Sequence, residues 1–243
     1  MFLFLKVFKI CAIAAVILLE IAPSAIAERP KAPDTGTPSG DTTPGTTRPE
    51  AACPTTLKPL TAIFANQGRD FTLAAYPTFY FYVPYTPQQI SSIEFLIFNE
   101  TATKTIYHSA IELKDRPGII RVQLPPDIKN SLAVDRTYQW RFNLDCQPDE
   151  TIVPDLVLNG WIERVADDPE IADRLKSAEF EYEVYRERDL WYDTIANLSN
   201  LHFANPKNER LRKAWNSTLR QLNLDWIVTE SLVDSELKPL SLE

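Results

Sequence analysis

The sequence predicts a mainly-β protein with an α-helical addition: an antiparallel β-sandwich over residues 53–166, then a small helical subdomain over 167–235 and a tail at 236–243. Two observations predict it. From Leu57 to about Val165 the apolar residues recur at every second position, and after Asp168 they recur at every third and fourth, so strand spacing gives way to helix spacing once. No helical stretch interrupts the strands, which points to an antiparallel sandwich and away from a parallel α/β sheet.

The first 27 residues read as a secretory signal. Lys6 and Lys9 precede the apolar stretch Ile10 to Leu19, and "SAIA" puts Ala25 and Ala27 at the small-residue cleavage positions. About ten uninterrupted apolar residues fall short of the roughly 20 that span a bilayer, so cleavage is expected over retention as an anchor, with no stable membrane insertion afterwards. Residues 28–52, "ERPKAPDTGTPSGDTTPGTTRPEAA", are nearly all Pro, Thr, Gly, Ser and charge. They read as a disordered linker, because so little apolar surface cannot offset the entropy of ordering it.

The net charge of −8 becomes −9 when Lys6, Lys9 and Glu20 leave with the signal. That balance argues against nucleic acid and against anionic membrane surfaces, which need a basic face. Arg210, Arg212, Lys213 and Arg220 are the nearest basic group, but at solvent-facing helical spacing. Signal removal also reduces three cysteines to two, Cys53 and Cys146. In an exported chain such a pair reads as a disulfide; closing 93 residues, it would stabilise the fold by roughly 4–5 kcal/mol. Two unpaired thiols are the alternative.

Each strand follows from alternation bounded by Pro, Gly, Asn and Asp. The predicted strands are 71–75, 78–83, 92–99, 104–113, 119–124, 137–146 and 155–165. The clearest is "TYQWRFNLDC", with Tyr138, Trp140, Phe142, Leu144 and Cys146 on one face and polar residues on the other. In "SLAVDRTYQWRF" Leu132 stands six residues before Tyr138. This resembles the tyrosine corner of immunoglobulin and fibronectin type III sandwiches, where the hydroxyl bonds back to the upstream backbone. The immunoglobulin cysteine and tryptophan spacing is absent. Helix spacing starts at Asp168 as N-cap with Pro169 at the first helical position. Apolar residues then recur through Ile171, Leu175, Leu190, Trp191, Ile195, Leu198, Leu211, Trp215 and Leu219, enough for three or four helices. "DLWYDTIANLSNLHFANP" resembles the second half of a tetratricopeptide repeat, although Asp189, Thr194 and Leu201 stand where that motif has small residues. One such hairpin must pack on something else.

No catalytic, cofactor-binding or metal-ligating residue is predicted. His108 reads as a surface or edge residue, and His202 as a helix-end residue favoured by the carbonyl end of the dipole. Asp167, Asp168, Glu179, Glu181, Glu183, Asp189 and Asp193 read as a cap and solvated helix faces, not as a pair set about 5–10 Å apart across a cleft. Three of the six glycines lie in the linker, and no phosphate-cradling loop is present.

Several segments in this order, "GTPSG", "CP" at 53 and 54, "LTA" at 60 to 62, "PTFYFYVPY", "YQWRFNLDC", "GWIERV" and "LWYDTIANL", resemble the exported cyanobacterial family called domain of unknown function 928. The resemblance implies a secreted protein of the cyanobacterial envelope, periplasmic or extracellular, and brings no activity with it. This chain departs from the family's glycine before "WYD", carrying "RDLWYD" instead. The expected function is a non-catalytic envelope module that binds a protein or a glycan; the alternative is an envelope hydrolase with an unrecognised carboxylate pair.

"PTFYFYVPY" carries the candidate binding surface. Pro77 and Pro84 bound the strand. Phe79, Phe81 and Val83 are expected to face the core with Trp140 and Phe142, leaving Tyr80 and Tyr82 on the other side and Tyr85 just beyond. Either the helices cover these tyrosines, with Trp191 or Trp161 as partner, or Tyr80, Tyr82 and Tyr85 form an exposed ladder.

Overall fold

The computed structural model describes residues 45–46, 53–66, 70–147 and 153–241; the predicted signal and most of the predicted linker lie outside them. The strands are β1 (Gly45–Thr46), β2 (Thr61–Ala62), β3 (Asp70–Thr72), β4 (Thr78–Val83), β5 (Ser92–Asn99), β6 (Thr105–Leu113), β7 (Gly118–Gln123), β8 (Arg136–Asp145), β9 (Leu156–Arg164) and β10 (Ser235–Pro239). The helices are α1 (Pro169–Ser177), α2 (Glu181–Glu187), α3 (Trp191–Ala204) and α4 (Glu209–Gln221).

The strands form a large sheet in the order β1-β9-β8-β5-β6-β10, with β3 also on β9, and a small sheet in the order β2-β4-β7. Aromatic side chains fill the space between them. Phe79 and Phe81 of β4 meet Phe95 and Phe142 of the large sheet at ring-centroid distances of 4.8 and 4.3 Å. Trp140 sits among Phe64, Phe79 and Phe81 in edge-on contacts, which aromatic quadrupoles favour over face-to-face stacking. The corner before β8 is closed as expected, with the Ala133 N–H donating to the Tyr138 hydroxyl at 2.9 Å. Cys53 and Cys146 are disulfide-bonded, joining the start of the folded region to the end of β8.

The second face of the small sheet is not solvated. Helices α3 and α4 lie over it, and Tyr80, Tyr82 and Ile119 share an apolar cluster with Trp191, Ile195, Trp215 and Leu219. The described residues therefore stack in three layers here, and β4 is buried on both faces. The first helix begins as read, with Asp168 accepting the Glu170 N–H at 2.8 Å behind Pro169.

Three expectations are corrected. β1 pairs Gly45 with Val157 and Thr46 with Leu156, inside the stretch read as linker. β10 pairs antiparallel with β6 inside the stretch read as tail, where Glu112 bridges Lys114 and Lys238, and Lys114 also reaches Glu236. The large sheet is not wholly antiparallel, since β3 runs parallel to β9.

Gly160 faces Trp140 across the β8–β9 ladder. A Cβ there would come within 2.4 Å of the indole and 3.0 Å of Phe64, so the ring occupies the room that the missing side chain leaves. Gly160→Ala is expected to lower stability by about 1–3 kcal/mol through overpacking, measured as a shifted guanidinium midpoint; an unshifted midpoint would show that Trp140 can move aside freely.

Candidate functional site

The tyrosines proposed as a binding ladder are covered. Tyr80, Tyr82 and Tyr85 are 2%, 6% and 4% exposed, so the candidate surface is corrected to an interior one. Trp191 shares a cluster with Tyr80 and Tyr82, Tyr85 lies in the core between the sheets, and Trp226 meets Tyr82 edge-on at 5.9 Å. Burial raises the ionisation of all three above that of a free phenol, against the pull of Ser199 and Arg121 at Tyr80 and of Thr56 at Tyr85. Phenols held neutral and covered present no face to a ligand.

Polar chemistry concentrates instead where α3 meets the large sheet. Tyr192, in the first turn of α3, reaches into the core between the sheets. Its hydroxyl accepts the Trp140 indole N–H at 2.6 Å and donates to the Trp161 carbonyl at 2.9 Å. Burial, and then the neighbouring Asp70 charge, push its ionisation well above the ordinary value of 10.0, which keeps the donated proton in place.

Two carboxyl groups flank this link. Asp70, only 1% exposed, accepts the Asn66 N–H at 3.1 Å through one oxygen. Among the described residues its other oxygen has no hydrogen-bond partner. Burial raises its carboxyl to about 7 in spite of the Asn66 and Ala65 backbone donors. Asp193 accepts the Leu73 N–H at 3.0 Å, and burial raises it to about 6 against donors that include Leu73 and Thr72. Asp193 is therefore not part of a solvated helix face; it holds the chain just after β3 onto α3. Asp70 was not singled out in the sequence, because a lone aspartate between Arg69 and Phe71 carries no local signal of burial.

The histidines stand apart from both. His108 in β6 faces Glu94 at 3.5 Å. His202 stacks on Trp215, with centroids 5.7 Å apart, and its ionisation is lowered by burial and then by Arg212. Among the described residues one trio of potential metal ligands clusters within 4.8 Å, Cys53, Cys146 and Asp155. The two sulfurs are bonded to each other, so no thiolate is offered to an ion.

A groove of about 390 Å³ opens where α2, α3 and the end of α4 converge. Ala65, Arg186, Glu187, Trp191, Gln221 and Leu222 line it. Neither Asp70 nor Asp193 does.

The model of the family described as Domain of Unknown Function (DUF928) matches residues 43–232. The chain belongs to the DUF928 family. No curated protein and no solved structure matches it. The DUF928 match runs from just before β1 to Leu232, which bridges Ile119, and stops short of β10. Three of the segments on which the resemblance rests converge on one point: "YQWRFNLDC" supplies Trp140, "GWIERV" supplies Gly160 and the Trp161 carbonyl, and "LWYDTIANL" supplies Tyr192 and Asp193. The turn ahead of Trp191 is sharp despite the missing glycine. Asp189 adopts a φ of 56° there, a left-handed conformation that Asp tolerates better than most residues.

A pH dependence follows from the two buried carboxyls. Both take up protons more readily in the folded chain than at the ordinary value of 3.8, so the folded state binds more protons than the unfolded one between about pH 4 and pH 7. Stability is expected to fall as pH rises through that window. The lowered groups Glu112, Glu187 and Glu236 act in the opposite sense but below their ordinary 4.5. Chemical denaturation at a series of pH values measures the slope. Asp70→Asn is expected to flatten it, and a wild-type curve already flat from pH 4 to 7 would contradict the assignment.

Proposed function

We propose that this chain is a non-catalytic interaction module of the cell envelope, exported to the periplasm or beyond, that presents its surface to an envelope protein or glycan. The observation that carries this reading is the use made of the two carboxyls whose pKa burial raises. An acid–base enzyme aims such groups into a cleft. Here Asp193 is engaged with the backbone after β3, Asp70 is closed off, and the groove at Trp191 is lined by neither. No helix among the described residues is long and apolar enough to cross a membrane. The Ala133–Tyr138 corner further supports a fibronectin-III-like reading of the two stacked sheets.

A second reading has a specific observation behind it. Asp70 on β3 and Asp193 on α3 are both raised toward neutrality, and a hydrolase needs one carboxyl held protonated as its acid. In that case Asp70→Asn and Asp193→Asn would each abolish cleavage of an envelope polymer.

Affinity capture from cell-envelope extracts, with the disulfide intact, separates the two. The module reading expects saturable retention of one protein or glycan that free chain competes away, with the captured material unaltered. Background binding alone, or time-dependent degradation of the captured polymer, would overturn it.

A further inference from the structure

We propose that Cys53, Cys146 and Asp155 form a zinc site when the disulfide is reduced, with two thiolates and the Asp155 carboxylate as ligands and water in the fourth position. The clip that joins residue 53 to the end of β8 then has two forms, one covalent and one closed by metal, whatever surface the chain presents to a partner.

The three donor atoms are already together. Both sulfurs and a carboxylate oxygen of Asp155 lie within 4.8 Å of one another, and a tetrahedral zinc, with bonds of about 2.0–2.3 Å, holds such atoms roughly 3.3–3.8 Å apart. Side-chain rotation therefore closes the site once the sulfur–sulfur bond opens. Each donor is also held by contacts other than the disulfide. Leu144 pairs with Leu156 at the end of the β8–β9 ladder. Just beyond, the Asp155 N–H donates to Asp145 Oδ1 at 2.9 Å and the Cys146 N–H donates to Asp155 Oδ2 at 3.0 Å. Asp145 is fixed in turn by the Ser91 N–H on its carbonyl at 2.7 Å and the Ser92 hydroxyl on its carboxylate at 3.0 Å. On the other side Lys58 pairs with Glu230 and Leu60 is buried in the core, so the segment after Cys53 stays docked.

The chemistry of the donors selects the ion. A dithiol reductant passes two electrons and two protons to the bridge: its own sulfurs close into a disulfide, and Cys53 and Cys146 become thiols. Zinc then displaces both thiol protons to the solvent. Thiolates exclude calcium and magnesium, which take oxygen ligands. A carboxylate beside two thiolates suits zinc, which accepts sulfur and oxygen in one tetrahedral set. The Asp155 oxygen that holds the Cys146 N–H keeps lone-pair capacity for an ion. Cys53 is buried and Cys146 half-buried, which leaves one side open for entry of the ion and for the bound water.

The full chain carrying Cys11→Ser, so that only Cys53 and Cys146 can supply thiols, is reduced with a phosphine, freed of it without air and titrated with cobalt(II) as a spectroscopic stand-in for zinc. One cobalt per chain is expected, with thiolate-to-metal charge transfer and the strong visible bands of a tetrahedral site, and zinc should displace it. Asp155→Asn keeps an oxygen for the Cys146 N–H and removes the anionic ligand. It should weaken zinc at least about tenfold, since loss of even an outer partner of a metal site costs that much. Asp173→Asn, on α1 beyond the opposite end of β9, should leave the affinity unchanged, and the oxidised chain should take up no metal. Zinc should also raise the denaturation midpoint of the reduced chain and not that of the oxidised one. Circular dichroism checks the fold of each form. A folded reduced chain that takes up no cobalt, an Asp155→Asn variant that binds zinc as tightly as its parent, or a reduced chain that unfolds and is not restored by zinc would overturn the proposal.

Discussion

The hydroxyl of Tyr192 is the point on which the three layers depend. It lies on the first turn of α3, yet its two partners belong to adjacent strands of the large sheet, the Trp140 side chain on β8 and the Trp161 backbone on β9. Buried polar groups of this kind are costly when unpaired. The indole N–H of Trp140 is satisfied only if α3 arrives with Tyr192 in register. The same ring packs on Phe79 at 5.2 Å, so one side chain ties the helical layer to the large sheet and to β4 of the small one. Gly160 completes the arrangement from below by leaving room for the indole.

From this constraint the division of the surface follows. With α3 fixed over β4, the aromatic strand is an interior element and its tyrosines form part of a second core. The polar groups nearest the link, Asp70 and Asp193, serve the short parallel strand β3 and its continuation, which would otherwise be a weak edge addition to β9. The outer side of the helices carries a groove beside Trp191, framed by α2 and the end of α4. The β10 edge carries alternating charges and Pro239, features that discourage further strand pairing.

Much of this was legible in the sequence, and the reasons are local. β4 and β5 fall at the predicted boundaries, because alternation and flanking prolines or turn residues are properties of neighbouring positions. The Asp168 cap and the tyrosine corner were legible for the same reason. The parts that were not legible depend on distant residues. Alternating Phe and Tyr in "TFYFYV" reads as one dry and one wetter face, and only the arrival of α3 and α4 makes both faces dry. β10 exposes Glu236, Lys238 and a terminal proline, so its pairing with β6 leaves little trace in composition. Asp193 has the spacing of a solvated helix residue; its role depends on Leu73, 120 residues away.

The most direct test of the central constraint is the equilibrium stability of Tyr192→Phe, which removes one oxygen and leaves the ring in place. If the hydroxyl holds the layers in register, the variant leaves the Trp140 N–H buried without a partner and removes a donor from the Trp161 carbonyl. It should then lose about 1–3 kcal/mol, the cost of such unsatisfied groups, with faster amide exchange in α3 and β4. A variant as stable as wild type, with unchanged exchange in both elements, would show that apolar packing alone seats the helices and would contradict the account.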